Sequence, residues 1–254
     1  MTPDSFSDGG QYTSETAIHF RIEELLSQGA DVIDVGAEST RPGAAVVSVE
    51  DELQRLKPVF DYCQKHKVSV PFSIDTYKFP VAVAALESGF KIVNNVQGLF
   101  PTHELKHIAA SDAIYIAMLS CSKAEAFHQQ LATEVEIAEG VVQFAESTQS
   151  KLAAAGFSAE QIWLDPGVGF GKTDKANMHL LAYCKEWATR SNLLVGISRK
   201  SLLGRLFDIP EPRDRDIASQ AMEWGLMLSG VQMIRTHNVA GLVKLREMTF
   251  GKGQ

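Results

Sequence analysis

Short, almost uninterrupted apolar runs recur along the chain, separated by longer stretches in which apolar residues fall every third or fourth position. The short runs lie at Asp31–Val35, Val70–Asp75, Lys91–Val96, Ala113–Met118, Ile162–Asp165, Leu193–Ser198 and Val231–His237. Their continuity predicts strands buried on both faces of a parallel sheet. The intervening spacing predicts amphipathic helices. The first covers about Ser14–Gln28, with Ile18, Ile22, Leu25 and Leu26 on one face and Gly29 as its stop. A second opens at Ser48, where Asp51 completes a capping-box-like pattern, and carries Leu53, Leu56, Phe60 and Cys63. Others are expected over about Phe79–Ser88, Glu134–Ala155, Ala176–Arg190, Asp214–Ser229 and Asn238–Met248.

Strands alternating with helices across short connections imply parallel strands joined by right-handed crossovers. The pattern leaves two architectures open, a doubly wound open sheet and a closed (β/α)8 barrel. Seven strands are one fewer than a barrel needs, and the chain opens on a loop and a helix. The element expected to be missing is therefore a first strand ahead of Met1. No linker-like tract, low-complexity segment or repeat divides the sequence, so a single domain over residues 1–254 is expected.

Composition narrows the class. Hydrophobic residues make up 45% and charged residues 22%, enough apolar surface to offset the entropy of ordering the chain and to exclude disorder. The net charge of −7 argues against nucleic acid or anionic membrane as a general partner, but leaves room for a small anion held by two or three donors. Cys63, Cys121 and Cys184 form an odd, scattered set that reads as reduced thiols of a cytoplasmic protein. No apolar run has the length of a membrane span, and MTPDSFSDGG lacks a signal-peptide core.

In either architecture, ligands bind at the carboxyl ends of the strands. There the sequence places Gly36-Ala37-Glu38-Ser39-Thr40-Arg41-Pro42-Gly43, Asp75-Thr76-Tyr77-Lys78, Asn94-Asn95, Asp165-Pro166-Gly167, Ser198-Arg199-Lys200-Ser201 and Arg235-Thr236-His237-Asn238. Taken singly, each polar residue is an ordinary cap, turn former or surface ion-pair partner. Taken together they exceed what capping requires and point to an active site. Asp75, Asn94 and Asp165 suit the N–H edge of a flat heterocycle or a developing cation. Lys200, Arg235 and His237 suit phosphate or carboxylate. Such a division suggests breaking a bond between an electron-rich ring and an anionic leaving group.

Two motifs fail on inspection. Pro166–Thr173 has Pro where a phosphate-binding loop needs Gly, and Gly167-Val168-Gly169 lacks the third glycine of a dinucleotide fingerprint. Lys172 then reads equally well as a solvated loop residue. No histidine or cysteine spacing suits a transition metal, so any metal would be a hard ion such as Mg2+, held largely by phosphate oxygens.

Six segments, Thr2–Gly10, Asp34–Ala44, Ser73–Lys78, Asp165–Lys172, Ser198–Ser201 and Arg235–Val239, together resemble dihydropteroate synthase, the folate-pathway family that sulfonamides inhibit. They occur in that family's order and spacing across essentially the whole chain. The resemblance implies a TIM (β/α)8 barrel, here with its first strand missing and seven strands visible. It implies condensation of 6-hydroxymethyl-7,8-dihydropterin diphosphate with p-aminobenzoate to give 7,8-dihydropteroate and pyrophosphate, with Mg2+, and a homodimer. By position, Asp75, Asn94, Asp165, Lys200 and Arg235 match pterin-binding residues, and Thr40, Arg235 and His237 match pyrophosphate anchors. Phe6, Ser39, Thr40, Arg41, Pro42, Phe170 and Ser201 match the aminobenzoate site, and Asp8 the acid that helps organise the metal. Asp75, Asp165, Lys200, Arg235 and His237 are the implied catalytic group.

The chain departs from the family's pattern in three places. The usual strand and Asn before Thr2 are absent, Asn94-Asn95 stands where Asn-Asp is common, and Met118-Leu119-Ser120 replaces a common Met-His pair. The alternatives are a catalytically impaired pterin-binding paralogue and a methyltetrahydrofolate-binding methyltransferase relative.

Overall fold

A computed structural model describes residues 14–39, 45–120 and 134–252 of the chain, with side chains of the fifth helix described from residue 140 onward. Phe6, Asp8, Thr40, Arg41, Pro42 and Cys121 fall outside the described residues. The chain forms two compact units. One takes in Met1–Met118 and Ala145–Trp163, the other Leu119–Phe144 and Leu164–Gln254. No helix among the described residues is long and apolar enough to cross a membrane.

In the first unit, α1 (Glu15–Ser27) begins where the Ser14 hydroxyl accepts from the Ala17 N–H, and it buries Ile18 and Ile22. Gly29 follows its end at φ +87°, a conformation that costs a residue without Cβ little. Strand β1 (Ile33–Gly36) leads to α2 (Val49–Lys65), whose N-cap Ser48 accepts from the Asp51 N–H at 3.0 Å. Next come β2 (Phe72–Asp75), α3 (Phe79–Glu87), β3 (Ile92–Asn95), α4 (Thr102–Ala109) and β4 (Ile114–Met118). The strands β1 to β4 pair in parallel in chain order, with Ile33 opposite Phe72, Ile74 opposite Val93 and Ile92 opposite Ile114. Helix α5 (Glu134–Ala155) and strand β5 (Ile162–Asp165) each run from one unit into the other.

The second unit continues with α6 (Asp174–Trp187), β6 (Asn192–Gly196), α7 (Ser201–Phe207), α8 (Asp216–Leu228), β7 (Met233–Arg235) and α9 (Val239–Phe250). Here β6 and β7 pair in parallel, Gly196 opposite Arg235.

All seven expected strands are present. Burial on both faces holds for β2 to β6, where Ile74, Val93, Ile116, Leu164 and Val195 are fully enclosed. It does not hold for β1, in which exposed Asp34 alternates with buried Ile33 and Val35, nor for β7, whose three residues are all half-exposed. Two helices escaped the sequence pattern. Helix α4 has eight residues and α7 seven, too few turns for an apolar stripe to stand out. Cys63 and Cys184 are free thiols, pushed up to about 11 and about 12 by burial, with Asp165 adding to the rise at Cys184.

Candidate active site

The first unit sets its polar residues at strand ends. Gly36, Asp75 and Asn94, at or near the carboxyl ends of β1, β2 and β3, stand at one level of the sheet. A methyl group on Gly36 would lie 3.4 Å from the Asp75 Cβ, so the absent side chain leaves the flank of Asp75 open. Asn94 is 1% exposed, yet neither its Oδ1 nor its Nδ2 has a hydrogen-bond partner among the described residues. A buried amide in that state forfeits roughly 1–3 kcal/mol per unsatisfied group, which a ligand with complementary donors and acceptors would restore.

Its neighbour behaves differently. Asn95, equally buried, donates to the Tyr115 hydroxyl at 3.0 Å and accepts from the Gln97 N–H at 2.9 Å. The Tyr115 hydroxyl in turn donates to the Gly98 carbonyl at 3.0 Å. Asn95 is therefore a structural residue of this turn.

Beside these ends lies a buried charge cluster that the sequence did not reveal. Glu52, on α2, is 0% exposed. Its carboxylate accepts from Lys78 Nζ at 2.6 Å and from Thr76 Oγ1 at 2.8 Å. Lys78 also pairs with Glu38, which accepts from the Tyr77 hydroxyl at 2.8 Å and from the Val47 N–H at 3.2 Å. Burial alone would lower the Lys78 pKa, but the hydrogen bonds and charges of Glu38 and Glu52 outweigh it and raise the pKa. Burial and Glu38 push the Tyr77 phenol up to about 12. Ser39, half-buried, directly follows Glu38, so the chain leaves β1 from a point fixed by ion pairs. A charged position on an otherwise apolar helix face was the only available signal, and Glu52 sits among exposed acids of the same first turn.

The second unit carries the acid and the cations. Asp165, the last residue of β5, is 2% exposed. Its carboxylate accepts from the Gly167 N–H at 2.7 Å and faces Arg235 Nη1 at 3.6 Å. Arg235 closes β7 opposite Gly196, where an added methyl would lie 3.7 Å from Nη1. Lys200 donates to the Val168 carbonyl at 2.6 Å and lies 5.1 Å above the Phe170 ring. Ser201, exposed, opens α7 directly after it. The His237 N–H donates to Ser198 Oγ at 3.1 Å.

Two devices hold this arrangement. In the 165–172 loop, Gly167, Gly169 and Gly171 all adopt positive φ, which explains a glycine spacing that mimics a nucleotide-binding motif without being one. Lys172 is 3% exposed, and its ammonium donates to the carbonyls of Leu119, Gly167 and Phe170 at 2.8, 2.9 and 2.9 Å. The solvated-loop reading of Lys172 is thus overturned: three carbonyls replace the water shell of its ammonium. Arg199, immediately before Lys200, has φ +57°. That conformation is held by a two-pronged pair with Asp216, at 2.5 and 2.8 Å, and by its N–H donating to Ser219 Oγ at 2.9 Å.

A family model described as pterin binding enzyme matches residues 1–237. A dihydropteroate synthase from a Synechocystis species is 35% identical over 246 residues, covering 96% of this chain and 84% of its own length. The chain belongs to the dihydropteroate synthase family. It is an enzyme, a transferase. The Yersinia pestis dihydropteroate synthase, solved in a sulfonamide drug complex, superposes with a TM-score of 0.90 at 33% identity, over 97% of this chain and 89% of that one. The Burkholderia cenocepacia dihydropteroate synthase complexed with 7,8-dihydropteroate gives 0.84 at 30% identity, over 93% and 86%. The α/β fold with seven strands is therefore that of dihydropteroate synthases, and the barrel reading prevails over the doubly wound sheet. Membership also favours the synthase over the methyltransferase alternative.

Of the expected site residues, Asp75, Asn94 and Ser39 lie in the first unit and Asp165, Phe170, Lys200, Ser201, Arg235 and His237 in the second. Among the described residues no group of three His, Cys, Asp or Glu side chains could hold a metal ion.

Proposed function

We propose that this chain joins 6-hydroxymethyl-7,8-dihydropterin diphosphate to p-aminobenzoate, releasing pyrophosphate. The observation that carries the reading is the set at the ends of β5, β6 and β7, where a buried carboxylate faces an arginine in a loop that also fixes a lysine. Departure of pyrophosphate leaves a benzylic-type cation spread over the pterin. Asp165 and Asp75 stabilise that positive charge, and Arg235 and His237 stabilise the leaving group. Lys200 and Asn94 hold the polar edge of the ring, the unpartnered amide of Asn94 supporting that role. The aminobenzoate nitrogen is neutral and weakly basic, so no strong general base is needed.

Ser39, Phe170 and Ser201, with Phe6, Thr40, Arg41 and Pro42, are assigned to p-aminobenzoate, and Thr40 also to the diphosphate. Bound Mg2+, with Asp8 as its protein ligand, would supply charge neutralisation at the phosphates. A cytoplasmic location, a single pterin-binding domain and a homodimer complete the proposal. One family model running through residues 1–237 supports the single domain, and Phe207, Ile217, Leu228 and Met248, exposed on α7, α8 and α9, support the dimer. Sedimentation should give twice the 27.8 kDa chain mass, and a monomer at micromolar concentration would remove the dimer.

The test of the reaction is pyrophosphate release with and without p-aminobenzoate. Stimulation by the amine is expected. Tight pterin binding with no stimulation would identify the chain as an impaired paralogue. Arg41→Ala is expected to raise the KM for p-aminobenzoate while leaving that for the pterin diphosphate in place. An effect confined to the pterin KM would contradict the assignment of Arg41.

A further inference from the structure

Helix α8 buries one carboxyl directly behind the leaving-group anchors. Glu223 is 0% exposed. Its Oε2 accepts from Thr236 Oγ1 at 3.1 Å, and Thr236 stands between Arg235 and His237. Its Oε1 is buried with no hydrogen-bond partner among the described residues. The Ser198 hydroxyl, which accepts the His237 N–H, lies beside the same carboxyl. Glu223 therefore touches both residues that shape the Arg235–His237 segment without belonging to it.

We propose that Glu223 is a positioning residue for the leaving group, acting through Thr236 and Ser198 on Arg235 and His237 and taking up a proton when these hold a diphosphate. The inference rests on the anchoring roles assigned above to Arg235 and His237. A carboxylate without a donor for one oxygen is costly in a buried site, whereas its neutral form carries a hydroxyl that can itself donate. A negative charge behind an anion site also opposes the anion, and does so more strongly out of water. Anion binding thus favours the protonated carboxyl, and by reciprocity the protonated carboxyl favours the anion.

The surroundings permit this titration near neutrality. Burial pushes the Glu223 pKa up to about 7, against the pull of the Thr236 and Ser198 hydroxyls, and Asp216 on the same helix adds to the rise. On the elements packed around it, the charged and titratable groups are Arg235, which closes β7, His237 two positions later, and Arg199 and Lys200 after β6. Arg199 is itself paired with Asp216. On α9, Gly241 lies against Gln220 of α8, and Lys244 is exposed.

Calorimetric titration of the full chain with inorganic pyrophosphate, in buffers of differing ionisation enthalpy, tests the proposal against Glu223→Gln. Glutamine keeps the volume and an acceptor for Thr236 but takes up no proton. Between about pH 6 and about pH 8.5 the wild type should lose roughly tenfold more affinity than the variant, the effect of a one-unit pKa shift on binding. It should also take up protons that the variant does not. Protonation of pyrophosphate itself is common to both proteins and cancels. Equal pH dependence and equal proton uptake in a folded variant would overturn the proposal. Should Glu223→Gln fail to fold, Thr236→Val should weaken the coupling by removing one of its two links, and unchanged coupling overturns the proposal equally. If pyrophosphate binds to neither protein, the anchoring roles of Arg235 and His237 fail first, an outcome distinct from equal pH profiles.

Discussion

Lys200→Ala and Asp165→Ala should each lower turnover by at least about 10²-fold, close to 3 kcal/mol of transition-state stabilisation. Both groups are held in place before any substrate arrives. Asp165 is fixed by the Gly167 N–H at 2.7 Å, and Lys200 by the Val168 carbonyl at 2.6 Å and the Phe170 face at 5.1 Å. Pre-orientation matters because dipoles and charges that need no rearrangement act at full strength on the cation as it forms. The loss should appear in kcat and in kcat/KM together, the signature of contacts made in the transition state. Steady-state pyrophosphate release decides the matter, and wild-type turnover in either variant would remove that residue from the mechanism.

Lys78→Met should destabilise the fold by about 3–5 kcal/mol, the usual cost of leaving a buried charge without its partner. Methionine matches the stem of the lysine but removes the cation between Glu38 and Glu52, whose side chains are 9% and 0% exposed. Two carboxylates would then face one another in a space closed to water. Adding Glu52→Gln should recover much of the loss, because a neutral amide still accepts from Thr76. Urea unfolding of the wild type, the single and the double variant measures both effects. A loss below about 1 kcal/mol in Lys78→Met would mean that the cluster is solvated and behaves as a surface pair.

Periodicity and spacing carried a large part of this protein. Seven strands fell where the apolar runs placed them, and for β2 to β6 the reason is that a strand enclosed between helices must be apolar along its length. Ser48 proved to be a helix cap, since a hydroxyl beside an unpaired N–H is a local matter of a few residues. The polar residues at strand ends were equally visible, because a parallel α/β order fixes which end of each strand gathers ligands.

Other features depended on residues far apart in sequence. Its place on the apolar face of α2 is a faint mark of Glu52 among its exposed neighbours Glu50 and Asp51; burial against Lys78, twenty-six positions on, sets it apart. Lys172 looked solvated because its motif lies in a loop, and only the folded loop wraps three carbonyls around its ammonium. Asn94 and Asn95 are indistinguishable as letters, yet one amide is closed by Tyr115 and the other is buried with no hydrogen-bond partner among the described residues. By itself the sequence determined the alternation of elements, their caps and the roster of polar strand ends. The tertiary structure decided which charges lose their water and which amides find partners, since desolvation and hydrogen bonding depend on what each group meets across the fold.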